Sequence, residues 1–271
     1  MRYQNATWQN NLVATPSATQ WGTRLTAHAT PHDKGAYATL MTTTYDVYGF
    51  WLGVNGSATA ATQTDMLMDI AIGPAQEHVI VPTLPVGWRS VATGASPGEL
   101  LLWFPIYIPA GTLVSARIQA LITIDTLDVV MFANAGSAGL RKEDFFTGCD
   151  AYGVTLAASQ GTSHTPGNTG ALSTAADIGS VTSKDYGAVM FMAQGTLANT
   201  TMNTLAYHWE LVRGGQTVCV WYAGTTSSEF TTGPFPPAPF HRNIPAGTQL
   251  QVRGECSGTA QAQDVILHCF Y

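Results

Sequence analysis

The sequence predicts an all-β protein: two tandem jelly-roll-like β-sandwiches arising from internal duplication. Three observations carry this. Ile108-Pro109-Ala110-Gly111-Thr112 recurs as Ile244-Pro245-Ala246-Gly247-Thr248, an offset of 136 in a chain of 271 residues. Further blocks keep one order in both halves, which coincidence explains poorly. Period-2 alternation rich in β-branched and aromatic residues recurs between Gly, Pro, Asn and Asp, and no useful stretch shows helical periodicity.

The elements follow in order. Residues 1–16 read as an extended polar arm. The first unit spans 17–135. Its landmarks are Trp21-Gly22, Gly35-Ala36, a strand at Tyr45–Val54 and a hairpin at Asp69–Val81 that turns at Gly73-Pro74. A strand at Val114–Ile124 and a closing strand from Asp128 complete it. Residues 136–144 form a linker, and Leu140–Phe146 is able to make one short helix. The second unit spans 145–271 and carries a Gly/Ser/Thr-rich insertion at 161–180. Its matching landmarks are Tyr152-Gly153, Gly187-Ala188 and Trp209–Trp221, with strands at Val218–Tyr222 and Leu250–Arg253. About 115–125 residues hold eight strands of ~5–6 residues plus turns, the size of a jelly roll.

The repeated pentapeptide reads as a corner that launches a strand. Ile anchors under the sheet, Pro fixes φ where no ladder N–H is needed, and Gly supplies the positive φ of a type II turn. Downstream, Arg117 matches Arg253 and Asp128 matches Asp264 at the same offset. A cross-strand Arg–Asp pair, repeated in both units, is the expected structural role.

Composition limits function. Only 10% of residues are charged, the net charge is −6, and the lysines are Lys34, Lys142 and Lys184. An ordinary soluble domain is roughly 25% charged, so this chain solvates itself with Thr, Ser, Asn and Gln or hides surface in an assembly. Nucleic-acid binding needs clustered Lys and Arg, which are missing. No apolar run approaches a membrane span, and no secretory signal is visible, so synthesis in a cytoplasm is expected. Cys149, Cys219, Cys256 and Cys269 lack CxxC spacing and read as buried free thiols, with a Cys219–Cys269 bridge the alternative.

No nucleophile elbow, zinc helix, phosphate loop or dinucleotide fingerprint occurs. His28-x3-His32-Asp33 lies in a loop and reads as solvated rather than metal-binding. The expectation is no enzyme, no cofactor and no metal. Of the seven tryptophans, Trp51, Trp103, Trp209 and Trp221 fall in strands and read as core. Trp8 in the arm, and Trp88 beside Arg89, are placed by no strand pattern and read as subunit contacts, because aromatics and Arg dominate interface hot spots.

Lys34-Gly35-Ala36-Tyr37, Tyr45-Asp46-Val47-Tyr48-Gly49, Met68-Asp69-Ile70-Ala71-Ile72-Gly73 and Ile108–Thr112 with Arg117 together resemble structural proteins of tailed bacteriophages. These carry a "DIAIG … IPAGT … R" pattern in β-rich units, often in tandem. The resemblance implies a non-catalytic virion component made in a host bacterium. A compact body with a clamp-like arm fits a capsid decoration or cement protein, with a tail or baseplate adaptor as alternative and a host-glycan receptor as a third reading. The expected partners are further copies of the chain, as a homotrimer joined through the arm and the Val86–Ala95 loop, and the major capsid protein or tail components.

Overall fold

A computed structural model describes residues 7–12, 21–56, 65–86, 100–136, 139–195, 205–225 and 237–271. The first nine strands are β1 (Trp8–Asn10), β2 (Thr23–Thr26), β3 (Ala38–Thr42), β4 (Val47–Gly56), β5 (Met66–Ile72), β6 (His78–Pro85), β7 (Leu100–Ile108), β8 (Leu113–Ala120) and β9 (Thr126–Asn134). Nine more follow: β10 (Cys149–Tyr152), β11 (Thr162–His164), β12 (Ala176–Asp177), β13 (Tyr186–Gly195), β14 (Leu205–Arg213), β15 (Gln216–Thr225), β16 (Phe240–Ile244), β17 (Gln251–Cys256) and β18 (Gln263–Phe270).

The first nine strands form two sheets. In one, β9 pairs β1 and β2 on one side and continues through β4 to β7; the other runs β3-β8-β5-β6. The last nine repeat this: β18 pairs β10 and β11 and continues through β13 to β16, while the other sheet runs β12-β17-β14-β15. All these pairings are antiparallel, and the two units share one strand order, that of a jelly roll. The all-β fold and its duplication therefore hold.

Alternation fixes which side chains go inside. In β4, Phe50, Leu52 and Val54 are buried in the first core. In β13, Val189, Phe191 and Ala193 join the second core with Trp209 and Trp221. β18 breaks the pattern, because every residue in it is buried. Val265, Leu267 and Cys269 enter the second core, whereas Phe270, with Ala188, Met190, Met192 and Cys149, packs with the first. The outer face of the β10-β18-β13-β16 sheet is thus the seam between the units.

The repeated corner is held by a clasp that sequence comparison missed. Thr43 Oγ1 donates to the Pro109 carbonyl (2.6 Å) and accepts from Thr112 N–H (2.9 Å), while Asp46 Oδ1 takes Ala110 N–H (2.8 Å). The second unit copies it. Thr182 Oγ1 donates to Pro245 O (2.7 Å) and accepts from Thr248 N–H (2.9 Å), and Asp185 Oδ1 takes Ala246 N–H (2.8 Å). Gly111 and Gly247 sit at φ of +75° and +76°, the left-handed region the corner requires. The signal was Thr-x-x-Asp ahead of β4 and again ahead of β13.

Several expectations are corrected. Arg117 pairs with Asp69 and Arg253 with Glu210, neither with the aspartate 11 residues downstream of it in the sequence. Each of those pairs spans neighbouring strands in register, Asp69 opposite Arg117 and Glu210 opposite Arg253. The equivalence is therefore Asp69 with Glu210, one residue off the sequence alignment. The arm does not wait for another subunit: Trp8–Asn10 adds a strand to β9 of its own chain. Only Lys142–Asp144 of the expected helix is helical, a single 3₁₀ turn. Trp51 and Trp103 lie on the outer face of their sheet, half-buried against each other at 5.4 Å, not in the core. The four cysteines are free and buried.

Thr43→Val and Thr182→Val keep the shape but leave a carbonyl and an N–H without their clasp. Each should cost about 1–2 kcal/mol, read as a lower denaturation midpoint, and the two losses should add because the clasps share no partner.

Candidate functional site

Asp69 on β5 is the hub of the first unit's polar side. It is 3% exposed and receives Lys34 Nζ (2.7 Å), Arg117 Nε (2.9 Å) and the Thr83 backbone N–H (2.9 Å). Burial alone would push its carboxyl up, but these three donors outweigh it and hold it below the ordinary range. Arg117 also lies 4.3 Å from the Tyr37 ring centroid. The DIAIG and IPAGT–Arg motifs therefore meet in one ion-pair cluster. In the second unit Glu210 takes Arg253 Nε (2.7 Å) and the Thr217 hydroxyl (2.7 Å). There too burial is outweighed, and the carboxyl sits low.

Asp128 is met by Arg24 on β2 through two bonds, 2.9 and 3.1 Å. Among the described residues no arginine is joined to Asp264, its counterpart. Trp88 and Arg89 lie outside the described residues. His28 Nδ1 stands 3.6 Å from Asp33, while His32 Nδ1 reaches Ser159 Oγ (2.9 Å) in the other unit. Among the described residues no group of three or more His, Cys, Asp or Glu is placed to hold a metal.

The units meet along an open cleft of about 600 Å³ with a mixed polar and apolar lining. Lys34, Pro82 and Thr83 form one wall, and Asp150, Tyr152, Ser183 and Lys184 the other. Tyr186 donates to Asp150 Oδ2 (2.5 Å) and meets the Tyr152 hydroxyl at 2.7 Å, while Lys184 Nζ stands 3.0 Å from Asp150. Burial, then the bond to Asp150, pushes the Tyr186 phenol far above its usual value, so it stays a donor. Each wall's cations are thus engaged by that wall's own acids, and the arrangement is built to hold side chains in place.

The seam itself covers strand edges. β6 and β7 end their sheets, and both are met by the second unit. The β6 carbonyls of Ile80 and Pro82 take the Cys149 thiol (3.5 Å) and His268 Nε2 (2.9 Å). On β7, Tyr107 N–H bonds Phe146 O and Trp103 N–H bonds Pro237 O, both at 2.9 Å. His268 is buried and shifted down to about 4, so it is neutral at this contact.

One corresponding sheet face is exposed. On the outer side of β4, β7 and β9, Trp51, Trp103, Val130 and Phe132 occupy the positions that Met190, Ile266 and neighbours bury at the seam. Leu101 (51%), Trp21 (45%), Trp8 (45%) and Leu12 (44%) stand exposed around it, and an apolar hollow of about 380 Å³ opens there. The sequence marks Trp8 but not this face, because membership needs the sheet register.

No protein-family model and no curated protein matches the sequence. Among solved structures, PNGF-II is 8% identical with a TM-score of 0.40; the match covers 97% of this chain, which spans 65% of PNGF-II. PNGase F, a glycosylasparaginase from Flavobacterium meningosepticum, is 6% identical with a TM-score of 0.38, covering 97% of this chain and 96% of that one. A chain from the structure of Sulfolobus Turreted Icosahedral Virus is 8% identical with a TM-score of 0.40, covering 97% and 89%. These loose likenesses leave activity open.

The low Asp69 carboxyl makes a signed prediction. A carboxylate depressed by folding stabilises above its unfolded value of ~3.9 and loses that contribution as pH falls through the folded value. Wild type should therefore lose stability steeply below about pH 4. Asp69→Asn should be about 2 kcal/mol less stable at pH 7, with a flatter acid limb in urea titrations.

Proposed function

We propose that the chain is a non-enzymatic virion structural protein that works by self-association. The observation that carries this reading is a pair of unused surfaces. Within the chain, the β6 edge of the first unit meets the outer sheet face of the second, and the β7 edge meets the second unit's segments at Phe146 and Pro237. The first unit's own outer face (Trp51, Trp103, Phe132) is open, and β15 and β16, the equivalents of β6 and β7, end their sheets with no further strand paired among the described residues. A second copy can present the edge that this face accepts. Such a contact is head-to-tail, and head-to-tail contacts close into rings when the rotation allows. Three copies would place six units around the ring, which agrees with the homotrimer expected from the sequence.

Within the virion, a head-surface decoration protein remains the favoured place. The resemblance to tailed-phage virion proteins, the sparse charge and the compact paired units support it. A shell subunit is a second reading, favoured by two complete jelly rolls joined side by side. A tail or baseplate adaptor would use the same contacts in fewer copies. Quantitative mass spectrometry of purified particles separates them. Hundreds of copies, with particles that leak DNA on mild heating when the protein is missing, fit decoration. The dominant protein of the particle would be the shell, and about a dozen copies travelling with isolated tails would overturn a head location.

Self-association has its own test. Leu101→Asp places a charge on the open face without touching the core, and it should shift the sedimenting species from oligomer to monomer at micromolar concentration. A wild-type protein that sediments as a monomer would count against the reading.

A further inference from the structure

The second unit carries a small hollow that neither the seam nor the open face of the first unit uses. Its floor is one row of the β12-β17-β14-β15 sheet, where Glu255, His208 and Tyr222 stand side by side on β17, β14 and β15. Thr169 and Gly170 of the Gly/Ser/Thr-rich segment line it too, with Ser257. That segment is tied down. Gly167 N–H bonds Gly254 O (2.8 Å), Cys256 N–H bonds Gly167 O (2.9 Å), and Asn168 Oδ1 takes Ala260 N–H (2.9 Å). The space is about 280 Å³, at the small end of ligand pockets. Tyr222 is 56% exposed, and His208 stacks beside it at 5.4 Å with 19° between the rings. Glu255 Oε1 lies 3.4 Å from His208 Nδ1. Glu210, the next acid on that face, is held by Arg253 and Thr217.

The duplication shows what the hollow is made to receive. In the first unit Leu67 and Gln119 face each other two residues from Asp69 and Arg117, as His208 and Glu255 do two residues from Glu210 and Arg253. Gln119 is therefore the counterpart of Glu255. There the corner is filled by the second unit: Gln119 is 2% exposed, and its amide donates to Leu156 O (2.9 Å) and Ser159 Oγ (3.1 Å). That occupant brings acceptors to an amide donor. In the second unit the amide has become a carboxylate, which only accepts. An occupant that presents carbonyls, such as residues 156–159 of a second copy, would set oxygen against oxygen. The occupant must present donors, and the exposed Tyr222 ring gives it a flat apolar face to lie on.

We propose that this hollow binds one ring of a neutral saccharide. Adjacent sugar hydroxyls donate together to the oxygens of one carboxylate, here Glu255, while the C–H face of the ring lies on Tyr222. The Thr169 hydroxyl both donates and accepts, which suits a further sugar hydroxyl. A phosphate or carboxylate ligand is repelled by Glu255. A cation is disfavoured by Arg253, two residues from Glu255 on the same face. The site lies in the second unit and does not depend on self-association.

The test uses the full chain and saturation-transfer NMR, with methyl glucoside, methyl galactoside, methyl mannoside and N-acetylglucosamine as probes. A glycan array that also carries lipopolysaccharide and capsular polysaccharide identifies the source of the sugar. Transfer to the ring protons of at least one probe is expected, with an affinity of about millimolar order for a single ring. Tyr222→Ala should weaken binding about tenfold. Glu255→Gln, which replaces one acceptor oxygen by a donor, should weaken it several-fold. Both side chains sit at the surface, so the melting temperature should stay near that of wild type. Leu101→Asp, on the open face of the first unit, should bind sugar as wild type does, which separates this site from self-association. No transfer to any probe together with a blank array would overturn the proposal. So would sugar binding that survives both substitutions, or binding of choline in place of sugars, which would make the hollow a cation site.

Discussion

The molecule depends on what becomes of two strand edges. A sandwich of two open sheets leaves unpaired backbone at its ends, and such edges invite uncontrolled pairing. In the first unit these edges are β6 and β7. The second unit covers β6 with a sheet face made of Ala188, Met190, Met192, Ile266, His268 and Phe270, and meets β7 through the segments at Phe146 and Pro237. That use explains why β18 is buried on both sides, and why His268, neutral and bonded to the Pro82 carbonyl, is tolerated there. Apolar contact holds the seam, while a few polar bonds set its register.

Duplication and divergence are visible residue by residue. The Thr-x-x-Asp clasp on the Pro-Ala-Gly-Thr corner is the same in both units, because a corner at positive φ needs its N–H groups satisfied wherever it occurs. The acid–Arg pair between β5 and β8, and between β14 and β17, also persists, with Asp69 replaced by Glu210. Change concentrates on the outer sheet faces. Trp51 faces outward where Met190 is buried, Phe132 where His268 is, and Arg24 where Ser163 stands. The inner positions answer to a core common to both units, and the outer ones answer to different neighbours.

The sparse charge takes on meaning in this setting. Charged groups are spent on local ion pairs: Lys34 and Arg117 on Asp69, Lys184 on Asp150, Arg24 on Asp128. Few remain to solvate a large free surface, and the open face of the first unit carries Trp, Leu and Phe in place of Lys and Glu. Such composition suits a protein whose faces are covered by neighbours.

The sequence by itself determined the all-β class, the duplication and the corners, because these rest on local rules: period-2 alternation, Pro and Gly dihedrals, and a repeated pentapeptide. It also marked Arg117, Asp128, Arg253 and Asp264 as positions that matter. It paired them wrongly, since partners in a sheet are set by register between strands far apart in the chain, and a shift of one residue, as between Asp69 and Glu210, changes the answer. Only the tertiary structure decided which face of each sheet is covered. Trp51 and Trp209 look alike as strand tryptophans, yet one faces outward and the other fills the core. The same holds for Asp128 and Asp264: identical in sequence setting, they differ because one faces an arginine and the other faces the neighbouring unit.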